Sequence, residues 1–234
     1  MKSRNYQKTV GTQIKDNELV RKKRLQIAVC ASKLFIKKGY HKTSMREISK
    51  ASGITIGNLY DYITKKEDVL YLVFDVFHSM WVNRLEEKGV FKIENPVEQL
   101  STAIQKMLEL VKEQKEMVLL MYTESKSLPK YFLRIILQKE SGLIDCFEKI
   151  LRSGVEKGVF KLKDPFLLAN IIVYLLSIEP LRGWNLRKSR SSVEIDNFIK
   201  DYILGRNSIF SYLPNLPNNE FVQRHMRENL KVIY

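Results

Sequence analysis

The chain has 234 residues, 44% of them hydrophobic, which suits one large globular domain or two modest ones with a substantial core. Its two cysteines, Cys30 and Cys146, stand far apart and outside any CxxC spacing, which argues against a disulfide framework and against a zinc site. The formal net charge of +14 is uneven: residues 1–66 hold 16 Lys and Arg against 4 Asp and Glu, and the rest is nearly neutral, so the N-terminal third is the part suited to a polyanion.

Residues 1–16 are polar, basic and without period, and read as a flexible arm able to add phosphate contacts or as a terminus with no role. No apolar run near the start resembles a signal peptide. The longest mostly apolar stretch, 166–178, is shorter than the roughly 20 residues of a membrane span. A cytoplasmic protein without a membrane partner is expected.

The periodicity predicts a first helix from Asn17 to Lys38, capped by Asp16 or Asn17 and ended by Gly39. Leu25, Ala28, Val29, Ser32, Leu34, Phe35 and Ile36 supply its apolar stripe, and Arg21, Lys22, Lys23 and Arg24 face solvent or phosphate. The stretch 44–66 follows, SMREISKASGITIGNLYDYITKK, with the period of two short helices around a tight turn. Ile48 and Ala51 form the inner face of the first, Ile54, Leu59 and Ile63 that of the second. Ser44 and Glu47 have the spacing of a capping box, Gly53 suits a left-handed stop, and Thr55 caps the second helix. Such a pair is either a helix-turn-helix, whose second helix enters the DNA major groove, or an ordinary helical hairpin in a core. The local excess of positive charge favours DNA.

Further helices are expected over 64–88, with Thr64 and Glu67 as a capping box, over 97–112 after Pro96, over 117–125, and over 130–157 with a bend at Gly142. Asp164 and Pro165 open another helix, kinked or ended by Pro180, and residues 192–212 form the last long one. Pro214 and Pro217 precede a short terminal helix within 218–234. No strand alternation and no internal repeat appear, so the fold class is all-α.

The residues Ala31, Leu34, Phe35, Gly39, Thr43, Ser44, Ile48, Gly53, Ile54, Gly57, Leu59, Tyr60, Lys66 and Glu67 stand in the register of one known pattern. The chain resembles, over about 20–72, the N-terminal domain of TetR/AcrR-type repressors. Ser49, Ile56, Ile63 and Lys65 depart from that pattern, and Ile56 bears on which bases are read. The segments MYTESKSLP, SGVEKGVF and EPLRGW are similar to those of family members that sense acyl-CoA thioesters. The resemblance implies an arm (1–16), a helix-turn-helix domain (17–66) and a helical effector-binding and dimerisation domain (67–234).

The helix-turn-helix reading puts Ser44, Arg46, Thr55, Gly57, Asn58, Tyr60, Tyr62 and Lys66 at the DNA. Arg46 and Asn58 suit base edges; the hydroxyls and Lys66 suit phosphates. Gly57 allows close approach. For an acyl-CoA, Arg134 or Arg182 would meet phosphates and Trp184 would stack on a ring. The helices near 164–182 and 193–212 carry more apolar surface than one core-facing stripe needs, so Tyr174, Ile199, Tyr202 and Ile203 are expected at a homodimer interface, the arrangement the resemblance implies. His41, His78 and His225 lack ligand spacing, and no phosphate loop or nucleophile elbow occurs, so no catalytic residue, metal or cofactor is expected. The expected function is a repressor of a palindromic double-stranded operator, released by a small-molecule effector, for which the second resemblance implies an acyl-CoA. The alternative is a DNA-binding or adaptor protein whose C-terminal region only dimerises.

Overall fold

Local capping decides where the first three helices begin and end. In the computed structural model, which describes residues 10–12 and 14–204, Asp16 accepts from the backbone N–H groups of Glu18 and Leu19 and starts α1 (Asn17–Lys38). Ser44 and Glu47 form the reciprocal box that starts α2 (Met45–Ser52), and Gly53 ends it at φ 66°. A Cβ there would be strained, since only glycine takes that backbone conformation freely. Thr55 then accepts from Asn58 N–H and starts α3 (Ile56–Tyr62). Each such cap stabilises a helix by about 1 kcal/mol.

The remaining helices are α4 (Lys66–Glu87), α5 (Pro96–Glu113), α6 (Lys115–Glu124), α7 (Lys130–Glu156), α8 (Pro165–Leu176), α9 (Ile178–Leu186) and α10 (Ser192–Ile203). Single 3-10 turns, Val90–Lys92 and Ser125–Ser127, link α4 to α5 and α6 to α7. There is no strand among the described residues, and the fold is all-α. α1 packs on α2 and α4, and α7 on α4, α5 and α8, so α4 belongs to both ends of the molecule. Its side chains Val69, Leu70, Phe74, Phe77 and Leu85 are almost fully buried. Burying each removes apolar surface worth roughly 1.5–3 kcal/mol.

Several expectations are corrected. α4 starts two residues later than expected, because Asp68 replaces the Thr64–Glu67 box: its carboxylate accepts from the N–H groups of Thr64 (2.7 Å) and Lys65 (3.0 Å). The break between α8 and α9 falls at Ser177 rather than at Pro180. Proline has no N–H for the carbonyl four residues back, Leu176, and its ring crowds that carbonyl, so the helix ends there. The two axes meet at 53°. α7 runs through Gly142 without interruption. A different glycine of that helix matters: the chain turns back at Gly158, and the ring of Phe160 lies on Gly154 where a Cβ would stand 2.0 Å from it.

On α1 the inner face is Val20, Arg24, Ile27, Ala28, Ala31 and Phe35, while Leu25, Val29 and Ile36 are exposed. On α2, Ala51 is exposed and Ser49 and Ser52 are buried. The terminal helix expected within 218–234, the end of the 192–212 helix, His225 and residues 1–9 lie outside the described residues. Among the described residues no single helix is long and apolar enough to cross a membrane; α8 and α9 reach that length and apolarity only as a bent pair. Cys30 and Cys146 are free thiols, and the described residues contain no cluster of His, Cys, Asp and Glu able to hold a metal ion.

Candidate nucleic-acid interface

The turn between α2 and α3 is held from inside by hydroxyls. Ser49 Oγ donates to Ile54 O (2.6 Å), and Ser52 Oγ donates to Ser49 O (3.1 Å). From α1, Gln26 Nε2 donates to Ser52 O (2.6 Å). Serine at position 49 therefore closes the turn, where an apolar side chain would leave the Ile54 carbonyl without this buried donor.

The far end of α3 is bolted down as well. A helix leaves its last carbonyls without intrahelical donors. Here Arg24 Nε donates to Tyr62 O (2.9 Å), and Thr12 Oγ1 donates to Asp61 O (2.7 Å). The same Arg24 reaches Val10 O (2.7 Å) and Gly11 O (3.0 Å) through Nη2. It is 7% exposed, so it joins α1, α3 and the arm instead of facing phosphate with its neighbours Arg21 and Lys22. Residues 10–12 of the arm are thereby fastened.

With both ends fixed, α3 buries Leu59 and presents Thr55, Ile56, Gly57, Asn58 and Tyr60 to solvent. Tyr60 is 51% exposed, and a Cβ on Gly57 would meet nothing within 4 Å, so this face is open. Ser44 and Arg46 are exposed at the start of α2, with the Ser44 hydroxyl donating to Glu47 Oε2 (2.8 Å). Lys38 bonds the same carboxylate, and these donors hold Glu47 well below the usual carboxylate range, at about 2. Lys42, Lys50 and Lys65 add exposed positive charge.

Two expected DNA contacts are placed elsewhere. Tyr62 is 8% exposed and packs into the core, because the 3.6-residue period puts it beside Leu59 on the inner face of α3. Lys66 turns inward: its ammonium donates to Tyr40 O (3.0 Å), His41 O (3.3 Å) and Thr43 O (3.0 Å), and sits 4.5 Å from the Tyr40 ring centre. All three ammonium protons have partners in the α1–α2 connector. Nothing in the local sequence announces this, since the partners lie 23 to 26 positions away.

The connector also meets α6. His41 Nε2 lies 3.4 Å from Glu124 Oε2 and 3.4 Å from Ser127 Oγ, and Ser127 Oγ donates to Glu124 (3.0 Å). Burial, with Glu67 and Glu124 adding negative charge, raises the Tyr40 hydroxyl to about 12. α4 joins the helix-turn-helix unit to the C-terminal region, and α6 makes a second connection.

In that region the expected effector residues do not converge. Arg134 is exposed on α7, beside a groove lined by α7 residues alone. Arg182 and Trp184 lie on α9, with Trp184 68% exposed between the Arg182 guanidinium (5.6 Å) and the Lys188 ammonium (5.5 Å). Of the expected interface residues, Tyr174 (57%) and Tyr202 (44%) are exposed, and Ile203 is half-buried. Ile199 is 4% exposed and packs into the chain's own core. Exposed apolar side chains remain on both helices, Val193 and Phe198 on α10 and Phe166, Leu167 and Ile171 on α8, and of these Phe198 and Ile171 line an open groove of about 790 Å³.

Known proteins share this arrangement. Residues 27–71 match the model of bacterial regulatory proteins of the tetR family, and residues 94–178 match the model of the tetracyclin repressor-like C-terminal domain. The HTH-type transcriptional regulator HbdR of Aromatoleum sp. (strain CIB) is 27% identical over 180 residues, covering 75% of this chain and 76% of that protein. Among solved structures, FadR from Bacillus subtilis in complex with stearoyl-CoA superposes with a TM-score of 0.68 at 20% identity, over 79% of this chain and 99% of that one. AibR in complex with isovaleryl coenzyme A and operator DNA gives 0.63 at 23%, over 79% and 97%. With a helix-turn-helix unit and a helical region that each match the corresponding family model, the chain belongs to the TetR family and is a DNA-binding transcriptional regulator.

Proposed function

We propose that the protein is a homodimeric repressor that holds a palindromic operator with α2 and α3 of each copy and lets it go when an acyl-CoA occupies the helical region. The observation that carries this reading is the open face of α3, fixed at both ends, in the N-terminal third that holds most of the net positive charge. On this reading residues 17–66 are the DNA-binding domain behind the arm 1–16, and residues 67–234 bind effector and dimerise. Asn58 and Arg46 read base edges. Ser44, Thr55 and Tyr60 reach phosphates, Gly57 lets the backbone come close, and Tyr62 and Lys66 support from behind. The protein acts by binding, in the cytoplasm, without catalysis.

Two solved neighbours of the same fold were captured with acyl thioesters, one of them together with operator DNA. The physical route from effector to DNA runs through α4 and through the contact of α6 with His41. An effector that favours one arrangement of these helices changes the separation of the two α3 copies, which must match successive major grooves about 34 Å apart. Dimer formation uses the exposed apolar faces of α8 and α10.

Selection of binding sites from random duplex DNA, followed by anisotropy titration with and without stearoyl-CoA or isovaleryl-CoA, tests the reading. The expected result is one palindromic motif and a loss of binding on addition of a thioester. A motif that no thioester displaces would leave the helical region as a dimerisation scaffold. No enriched motif at all would overturn the reading.

A further inference from the structure

Buried polar groups are almost always hydrogen-bonded, because an unpaired one costs roughly 1–3 kcal/mol. Two side chains of α4 break this rule together. His78 Nε2 and Trp81 Nε1 are buried without a hydrogen-bond partner, in residues that are each 5% exposed. They are three residues apart, on neighbouring positions of one helix face. Both rings lie edge-on to Phe77, with centres 6.4 Å (His78) and 5.4 Å (Trp81) from it.

Other helices send polar groups to the same place. Glu140 of α7 holds its Oε2 3.7 Å from His78 Nε2, beyond hydrogen-bond range. Tyr122 of α6 is within electrostatic reach of Glu140 and of Tyr174 on α8, and its hydroxyl is in reach of the Ser177 side chain. Tyr122 (46%) and Tyr174 (57%) are exposed, so the cluster runs from the surface at α6 and α8 inward to the orphaned atoms on α4.

Its charge state limits what it can take. Burial pushes the His78 imidazole down to about 4, with Lys139 adding to the effect, so it is neutral near pH 7. Burial likewise raises the Glu140 carboxyl. Lys139 is engaged with Asp75, which also accepts from Tyr71 Oη (3.3 Å). The unmet need is therefore for an uncharged acceptor beside apolar surface: Trp81 can only donate, and His78 donates from Nε2 in one tautomer. Lys139, the cation that acts on His78, is already engaged, so an incoming carboxylate or phosphate would lack its charge as a counterion.

We infer that His78 and Trp81, with Glu140 beside them, form the site that grips the carbonyl of an acyl thioester, entered between Tyr122 and Tyr174. The inference rests on the effector class proposed above and adds the point of recognition. The thioester oxygen accepts from Trp81 Nε1 and His78 Nε2, and the acyl chain continues into the apolar core of the helical region. Stearate, which carries a charge at the same position, binds less well than stearoyl-CoA.

The test uses the indole N–H signals of the full chain, which has two tryptophans. A soluble paramagnetic agent broadens the signal of exposed Trp184 and leaves that of Trp81. Addition of stearoyl-CoA or isovaleryl-CoA should move the Trp81 signal downfield, as a new hydrogen bond requires, while coenzyme A alone leaves it in place. Trp81→Phe and His78→Phe, which keep a ring in each position, should each weaken thioester binding roughly tenfold and keep operator binding. A thioester that binds and releases DNA while the Trp81 signal stays fixed would overturn this site and leave the proposed function standing. Tighter binding of stearate than of stearoyl-CoA would overturn the choice of an uncharged acceptor. Failure of both thioesters to bind would overturn the effector class and this site with it.

Discussion

Replacing Lys66 with methionine keeps the side chain's stem and removes its charge and donors. The ammonium now satisfies three carbonyls, those of Tyr40, His41 and Thr43, that belong to the turn between α1 and α2. A hydrogen bond from a charged donor contributes about 1.5–3 kcal/mol when buried. Lys66 is half-buried and two of the three carbonyls are partly so, which lets water replace some of what is lost. The expected destabilisation is therefore about 2 kcal/mol, near the value of one such bond. For a chain of this size that lowers Tm by about 4–8 °C. Calorimetric or fluorescence melting of the two proteins measures it. Operator affinity against salt gives the second reading: a phosphate contact contributes about 0.9 to the slope of log K on log salt, so a lysine turned inward should leave the slope unchanged. A slope lowered by about one unit, with Tm untouched, would show that the side chain faces DNA and not the α1–α2 connector.

Gly154→Ala places a methyl inside the Phe160 ring position and should destabilise by about 1–3 kcal/mol, whereas Gly142→Ala, in an open helix interior, should stabilise by about 0.5–1 kcal/mol; chemical denaturation compares the two. Phe198→Asp should give soluble monomers that lose operator binding, because its ring is 47% exposed, whereas Ile199→Asp should fail to fold; light scattering and circular dichroism separate these outcomes. His78 has a lowered folded value of about 4 against 6.5 when unfolded, so the unfolded chain binds more protons between these values. Stability should accordingly fall as pH drops from 6.5 to 4, by about 3 kcal/mol from this group, and His78→Phe should flatten that segment of the pH profile. Glu47, with its carboxyl held near 2, acts in a lower window: its contribution is present above the ordinary carboxylate range and is lost as pH falls toward 2.

What could be read from the sequence was what short-range chemistry decides. Ser44 with Glu47, Gly53 and Thr55 lie within a few residues of the groups they serve, and each cap stands where its spacing places it. The open face of α3 follows from the same period. The misreadings of Arg24 and Lys66 share a cause: a partner distant in sequence. Arg24 looked like one of four surface cations, but Tyr62 is 38 positions on, and its carbonyl draws the guanidinium inward. Lys66 was assigned to phosphate for its charge and helix position, and the α1–α2 connector claims it. Ala51, expected on the inner face of α2, is exposed, and Ser49 is buried there, where its hydroxyl meets a carbonyl at 2.6 Å and so carries no desolvation penalty. The break at Ser177 was within reach of sequence reasoning, since Pro180 acts on the carbonyl four residues before it. The orphaned atoms of His78 and Trp81 were not, because burial on α4 is decided by α7 packing across it.

On the proposed function, DNA and effector compete for one molecule through a shared change of shape. Titration calorimetry of stearoyl-CoA into the protein, alone and with saturating operator, measures this directly. By linkage, operator must weaken thioester binding by the factor with which thioester weakens operator binding, here about 5–150-fold for a coupling of roughly 1–3 kcal/mol. Equal affinities in the two titrations would contradict the account.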